Sequence, residues 1–212
     1  MPALTEIGEI GLEYLGREYR LRPSFAAMAR IGTPAEIVEA FGLLFGAPPE
    51  PTGNPVLDRP RWRVWGREQF RAALSVLHAC CDDDLSALIG WTTERMTYRP
   101  GAMPAANITV LARELLRHGV VGDVPADPRQ PKRGKFTAEF HARDFAAMAM
   151  AHLGLSEADA WQMTMTGFIL AMRAKFPPPE TPTKDDAPSE EAHDATMAWL
   201  AAVNAKRAAA NG

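Results

Sequence analysis

Residues 140–176 read FHARDFAAMAMAHLGLSEADAWQMTMTGFILAMRAKF, and the order of signals in this stretch decides the fold. Phe145, Met148 and His152 recur at helical spacing among alanines small enough to let neighbouring helices approach closely. Gly154 stops that helix, and Ser156 offers a fresh cap to the next. A Trp161-x-Met163-Thr164 corner then opens another apolar helix. Trp161, Met165, Phe168, Met172 and Phe176 advance by 4, 3, 4 and 4, which predicts a seam along one face. This is the grammar of a packed helical module, and it carries no catalytic signature.

Upstream, helical signals dominate after an opening hairpin. Ile10, Leu12 and Tyr14 alternate with polar or glycine positions, Leu15-Gly16-Arg17 can turn, and Tyr19 and Leu21 alternate again, which predicts a small β-hairpin within 6–22. Pro23 ends the second strand and Ser24 can cap a short helix through Phe25, Met28 and Ile31. Thr33-Pro34-Ala35-Glu36 is a capping box with proline at the first helical position, and Ile37, Phe41, Leu44 and Phe45 follow on one face until Gly46. Residues 47–60, with prolines at 48, 49, 51, 55 and 60, read as an extended connector.

A third helix is expected over about 66–80, striped by Phe70, Leu74, Leu77 and Cys81, with Asp82-Asp83-Asp84 at the start of a short turn over 85–90. Residues 91–103 read as irregular. Pro104 opens a fifth helix with Ile108, Leu111, Leu115 and Leu116 toward a core and Gly119 as its stop. The polar stretch 122–135 reads as a linker and domain boundary between a helical region 61–121 and a C-terminal module 136–176. Residues 177–188 read as an acidic tether, and 189–208 as a short amphipathic helix bearing Met197, Leu200 and Val203. The fold class is therefore mainly α, with a small N-terminal β-hairpin in residues 1–46.

Composition narrows the function classes. A net charge of −3 gives no global pull toward nucleic acid or anionic membrane. The N-terminus lacks the basic and apolar regions of a signal peptide, and no apolar run approaches the roughly 20 residues that span a bilayer, so a cytoplasmic location is expected. Two adjacent cysteines, Cys80 and Cys81, cannot staple distant loops. With His78 and the three aspartates they offer metal-ligand residue types at poor spacing, and a helix end followed by an acidic cap accounts for them more simply. No metal or cofactor is expected.

Arg59, Arg61, Arg63, Arg67 and Arg71 interleave with Trp62 and Trp65, a pattern that can grip single-stranded nucleic acid; the competing reading is a solvated helix face with both tryptophans turned to the core. No nucleophile elbow, zinc helix or phosphate-binding glycine loop is present, so no catalytic residue is assigned and an enzyme is not expected. The methionines around Phe145 and Trp161 either fill the core or form an adaptable binding surface.

The C-terminal module resembles the tail assembly chaperones of long-tailed bacteriophages and gene transfer agents. Leu153-Gly154-Leu155-Ser156, Glu157, Asp159, Trp161, Met163-Thr164 and Phe168 carry the resemblance, over about 35 residues. In that family a short helix capped by serine leads through a Trp-x-Met-Thr corner to a second helix capped by the threonine. Gly167 departs from the pattern, because a carboxylate commonly stands there. The N-terminal half also resembles an uncharacterised phage family found among tail genes, through Thr5–Glu9, Arg22-Pro23-Ser24-Phe25, residues 31–38 and residues 115–122.

The resemblance implies a non-catalytic protein of the host cytoplasm that binds the tape-measure protein and tail-tube subunits during tail assembly. Phe145, Met148, Trp161, Met165, Phe168 and Met172 are the candidate packing or partner-binding positions. The alternatives are a structural virion part, such as a tail-completion or head–tail connector protein, and a nucleic-acid-binding regulator.

Overall fold

In the computed structural model, the described residues are 3–94, 97–125 and 137–177, together with 197 and 199. The chain is mainly helical, with the expected N-terminal hairpin. Strands β1 (Ile10–Tyr14) and β2 (Arg17–Leu21) run antiparallel, with Ile10 opposite Leu21 and Tyr14 opposite Arg17. The turn is Leu15-Gly16, both with positive φ (51° and 73°), as a tight two-residue hairpin of the right-handed twist requires. Glycine takes that conformation without strain, and Leu15 adopts it fully out in solvent. Tyr19 and Leu21 point into the core while their neighbours in β2 face water, as the alternation predicts.

Helix α1 (Phe25–Ile31) is capped by the Ser24 hydroxyl, which accepts from the Ala27 amide. Helix α2 (Pro34–Phe45) carries the complete capping box: Thr33 accepts from the Glu36 amide and Glu36 accepts from the Thr33 amide. It buries Ile37, Ala40 and Leu44.

The third helix is longer than its stripe predicts. Helix α3 runs from Pro55 to Cys80, so the expected connector 47–60 ends at Asn54. Asn54 accepts from the Val56 amide, Pro55 takes the first helical position, and the Asp58 carboxylate accepts from the Thr52 amide and hydroxyl. Those three caps start the helix within a segment whose prolines read as a connector. Pro60 then sits inside the helix, near an end so exposed that the carbonyl it leaves unpaired is open to water. Only the C-terminal half of α3 is apolar toward the core, burying Ala73, Val76, Leu77, Ala79 and Cys80 against α1, α2 and the helix Ala105–Leu116.

Helix α4 (Ser86–Ile89) follows, its Ser86 amide donating to Asp84. Residues 91–103, expected to be irregular, contain a small antiparallel ladder of β3 (Trp91–Thr92) and β4 (Tyr98–Arg99). Tyr98 secures it, donating its hydroxyl to the Ile89 carbonyl at 2.7 Å and meeting Phe70 edge-on. Helix α5 (Ala105–Leu116) starts after Pro104 and buries Ile108, Leu115 and Leu116. It does not stop at Gly119. A π-helical turn, Arg117–Val121, carries it to Gly122. Gly119 is needed for close approach instead: a Cβ there would come within 2.7 Å of Met28 Sδ.

The decisive C-terminal stretch forms α6 (Ala142–Met148), a π-helical turn (Ala149–Leu153) ending at Gly154, α7 (Glu157–Trp161) and α8 (Met165–Lys175). The expected continuous seam is broken. Trp161 belongs to the end of α7, while Phe176 lies past α8 and is exposed. Capping by Ser156 and by Thr164 ends propagation and makes two helices of one periodic pattern.

Up to Phe176 the chain forms one compact unit, with Pro177–Gly212 a separate one. Residues on both sides of 122–135 enter the same core, so that stretch divides the sequence but not the packing. The expected tether and terminal helix lie outside the described residues, apart from Pro177 and from Met197 and Trp199, which have helical backbone and are exposed. Among the described residues, no helix is long and apolar enough to cross a membrane.

Candidate functional site

The corner between α7 and α8 is locked to the start of α1. The Phe25 amide donates to the Met163 carbonyl at 2.8 Å, Ser24 and Thr164 form an isolated antiparallel bridge, and the Thr164 hydroxyl accepts from the Gly167 amide. Glycine at 167 leaves only this half of a capping box. Phe25 stacks on Phe145 (5.8 Å) and meets Phe168 edge-on (6.0 Å), and Phe140 also stacks on Phe145 (5.3 Å).

The six candidate partner positions divide accordingly. Met165 and Phe168 are buried, while Phe145, Met148, Trp161 and Met172 are half-buried and packed on the same core. Met150 and Met163 pack there as well. The methionines of this module fill space between helices, and none is among the large apolar side chains that stand out in solvent.

Sequence reading missed the polar keystone. Glu9 is 1% exposed and lies in a turn with no helical or strand periodicity to mark it. It accepts from the Leu4 amide at 2.9 Å and is bound by the guanidinium groups of both Arg20 and Arg22. Burial pushes its carboxyl pKa up, but the Leu4 amide and the two arginines outweigh that and hold it below the ordinary value. The residue therefore remains an anion in the fold and ties the segment before β1 to β2.

A second polar cluster joins α5 to α8. The Thr166 hydroxyl accepts from the Asp123 amide at 2.9 Å and lies 2.8 Å from His118 Nδ1, whose Nε2 is 3.9 Å from Asp123 Oδ2. Hydroxyl, imidazole and carboxylate in sequence have the outline of a nucleophilic triad. Thr166, however, is 0% exposed, so its oxygen has no path to a substrate. The cluster acts as a clamp on the π-helical turn.

Asp82, Asp83 and Asp84 do more than cap. Asp83 pairs with Arg17 and Asp82 with Arg30, both at 2.9 Å, tying this loop to β2 and α1, while Asp84 serves the expected cap. Cys80 and Cys81 are free and buried, and burial pushes the Cys80 thiol well above its ordinary pKa and raises that of Cys81. Among the described residues, no group of three or more His, Cys, Asp or Glu side chains is placed to hold a metal.

The exposed N-terminal half of α3 carries an open feature. Pro55, Val56, Arg59, Pro60, Arg63, Val64 and Arg67 line a groove of about 660 Å³. Trp62 does not turn to the core as expected. It is 44% exposed, and its indole N–H donates to the Pro49 carbonyl at 3.0 Å, fastening the connector along the helix.

No curated protein matches this sequence, and no solved structure matches it. A family model described as a family of unknown function (DUF6246) matches residues 21–191, a span that takes in α1 to α8. The chain belongs to that family.

Proposed function

We propose that this protein is a non-catalytic assembly factor of the phage tail chaperone type, acting in the host cytoplasm on the tape-measure protein and tail-tube subunits. The observation that carries the reading is the corner at 156–167. Ser156 caps a short helix, that helix ends at Trp161, and Thr164 caps the next, which is the local geometry the resemblance implies. The corner is built into the core through Phe25, so a partner seated near it meets a rigid shape rather than a loop. Partner contact at the candidate positions falls to the half-buried edges of Phe145, Met148, Trp161 and Met172, with Met165 and Phe168 supporting them from beneath.

The test is quantitative mass spectrometry of purified virions and of infected lysate from the encoding phage or prophage. Abundance in lysate bound to tape-measure protein, with absence from virions, is the expected result. A fixed few copies per particle overturns it in favour of a structural tail or connector part.

A further inference from the structure

The N-terminal half of α3 presents a face that is exposed and makes no ion pair among the described residues. Val56 is 77% and Val64 46% exposed, and Arg59, Arg63 and Arg67 are exposed beside them. The two sets run in parallel. Arg59, Arg63 and Arg67 step by four residues, as do Val56, Pro60 and Val64, so a cationic row and an aliphatic row rise side by side at about 6 Å per step. Together they line the groove of about 660 Å³.

Among the described residues, Arg59, Arg63 and Arg67 form no ion pair. Arg61 behaves differently: it lies 3.8 Å from Asp58 and donates to the Glu50 carbonyl at 3.3 Å, binding the connector behind the helix. The connector thus covers one side of α3, and the groove residues are exposed on another.

We propose that this face binds an acidic amphipathic helix of a partner protein, with carboxylates at every fourth position meeting the arginine row and apolar side chains meeting Val56, Pro60 and Val64. Charge complementarity selects the partner: guanidinium groups grip carboxylates in planar pairs, and the adjoining aliphatic row rewards an apolar stripe at the same pitch. A single nucleic-acid strand fits less well, because such grooves offer aromatic faces for bases to stack on. This groove is lined by valine and proline, and Trp62 is held against Pro49 rather than within it. The proposal goes beyond the tail-assembly reading and does not depend on it.

The test uses the full chain and a fluorescein-labelled 18-residue helical peptide with glutamate at every fourth position and leucine beside each. Fluorescence anisotropy should show saturable binding that weakens with salt. Reversing the row (Arg59→Glu with Arg63→Glu and Arg67→Glu) should lower affinity by about tenfold or more, and a lysine version of the peptide should then bind the reversed chain better than the original. Circular dichroism checks that the variants remain folded; should the triple variant unfold, Arg63→Glu alone gives the same readout at the centre of the row. Absence of peptide binding, equal binding of the glutamate and lysine peptides, or binding untouched by reversal overturns the proposal. So does displacement of the peptide by a thymidine oligonucleotide that binds more tightly through the same arginines.

Discussion

Glu9 shows how one side chain can set the pH range of the whole protein. Its anion is enclosed by the Leu4 amide and two arginines, and its pKa in the folded chain lies below its unfolded value. A depressed carboxyl pKa contributes stability that is present above the unfolded value, near 4.3, and is lost as pH falls through the lower folded one. Urea midpoints should therefore be flat around neutrality and fall steeply below about pH 4. Glu9→Gln should lose about 2 kcal/mol at neutral pH, less than a fully buried pair because both arginines reach solvent. It should also flatten the acid limb, and a variant as stable as the parent at pH 7 would show the cluster to be passive. Nothing in TEIGEIG marks Glu9 as buried, because the enclosure is made by Arg20 of β2 and Arg22 just past it.

Helix α3 carries the clearest lesson at the level of elements. Its expected stripe of Phe70, Leu74, Leu77 and Cys81 meets the buried set only at Leu77 and Cys81. Phe70 and Leu74 are half-buried, and Ala73, Val76 and Cys80 are buried instead, while its first eleven residues bury almost nothing and so left no apolar period to read. N-terminal capping signals fared better than hydrophobic periods: Ser24, Thr33, Ser156 and Thr164 all cap the helices expected of them, although Gly119 did not stop α5. Periodicity misled at Trp161, where spacing alone cannot see that a cap at Thr164 interrupts the backbone. The six candidate contact positions were legible as apolar and clustered, but two of them, Phe145 and Phe168, pack on Phe25, a residue more than a hundred positions away. Pro60 supplies the test for this element. Alanine there restores an intrahelical hydrogen bond to the Val56 carbonyl and should raise stability by about 1–2 kcal/mol, short of the roughly 3 kcal/mol typical of a buried helix interior. Thermal unfolding measures the change, and a lowered midpoint would mean that the proline fixes the path of the exposed segment.

At the scale of the whole molecule, one core spans the stretch that sequence composition reads as a boundary. Leu21, Phe25 and Met28 belong to one hydrophobic cluster with Ile108 and Leu115 of α5 and with Met165 and Phe168 of α8, so residues 1–176 should unfold in a single transition. Tryptophan fluorescence and far-ultraviolet circular dichroism should give superimposable urea curves; two separated transitions would restore a division at 122–135. The adjacent cysteines lie within this core, one at the last turn of α3 and the other just past it. Their thiols are shielded and hard to ionise, so iodoacetamide should label neither while the fold is closed and both together when it opens. The pair is thus an internal stopwatch: counting alkylated molecules over time reads how often the protein breathes open, without any added probe and even within a crude lysate.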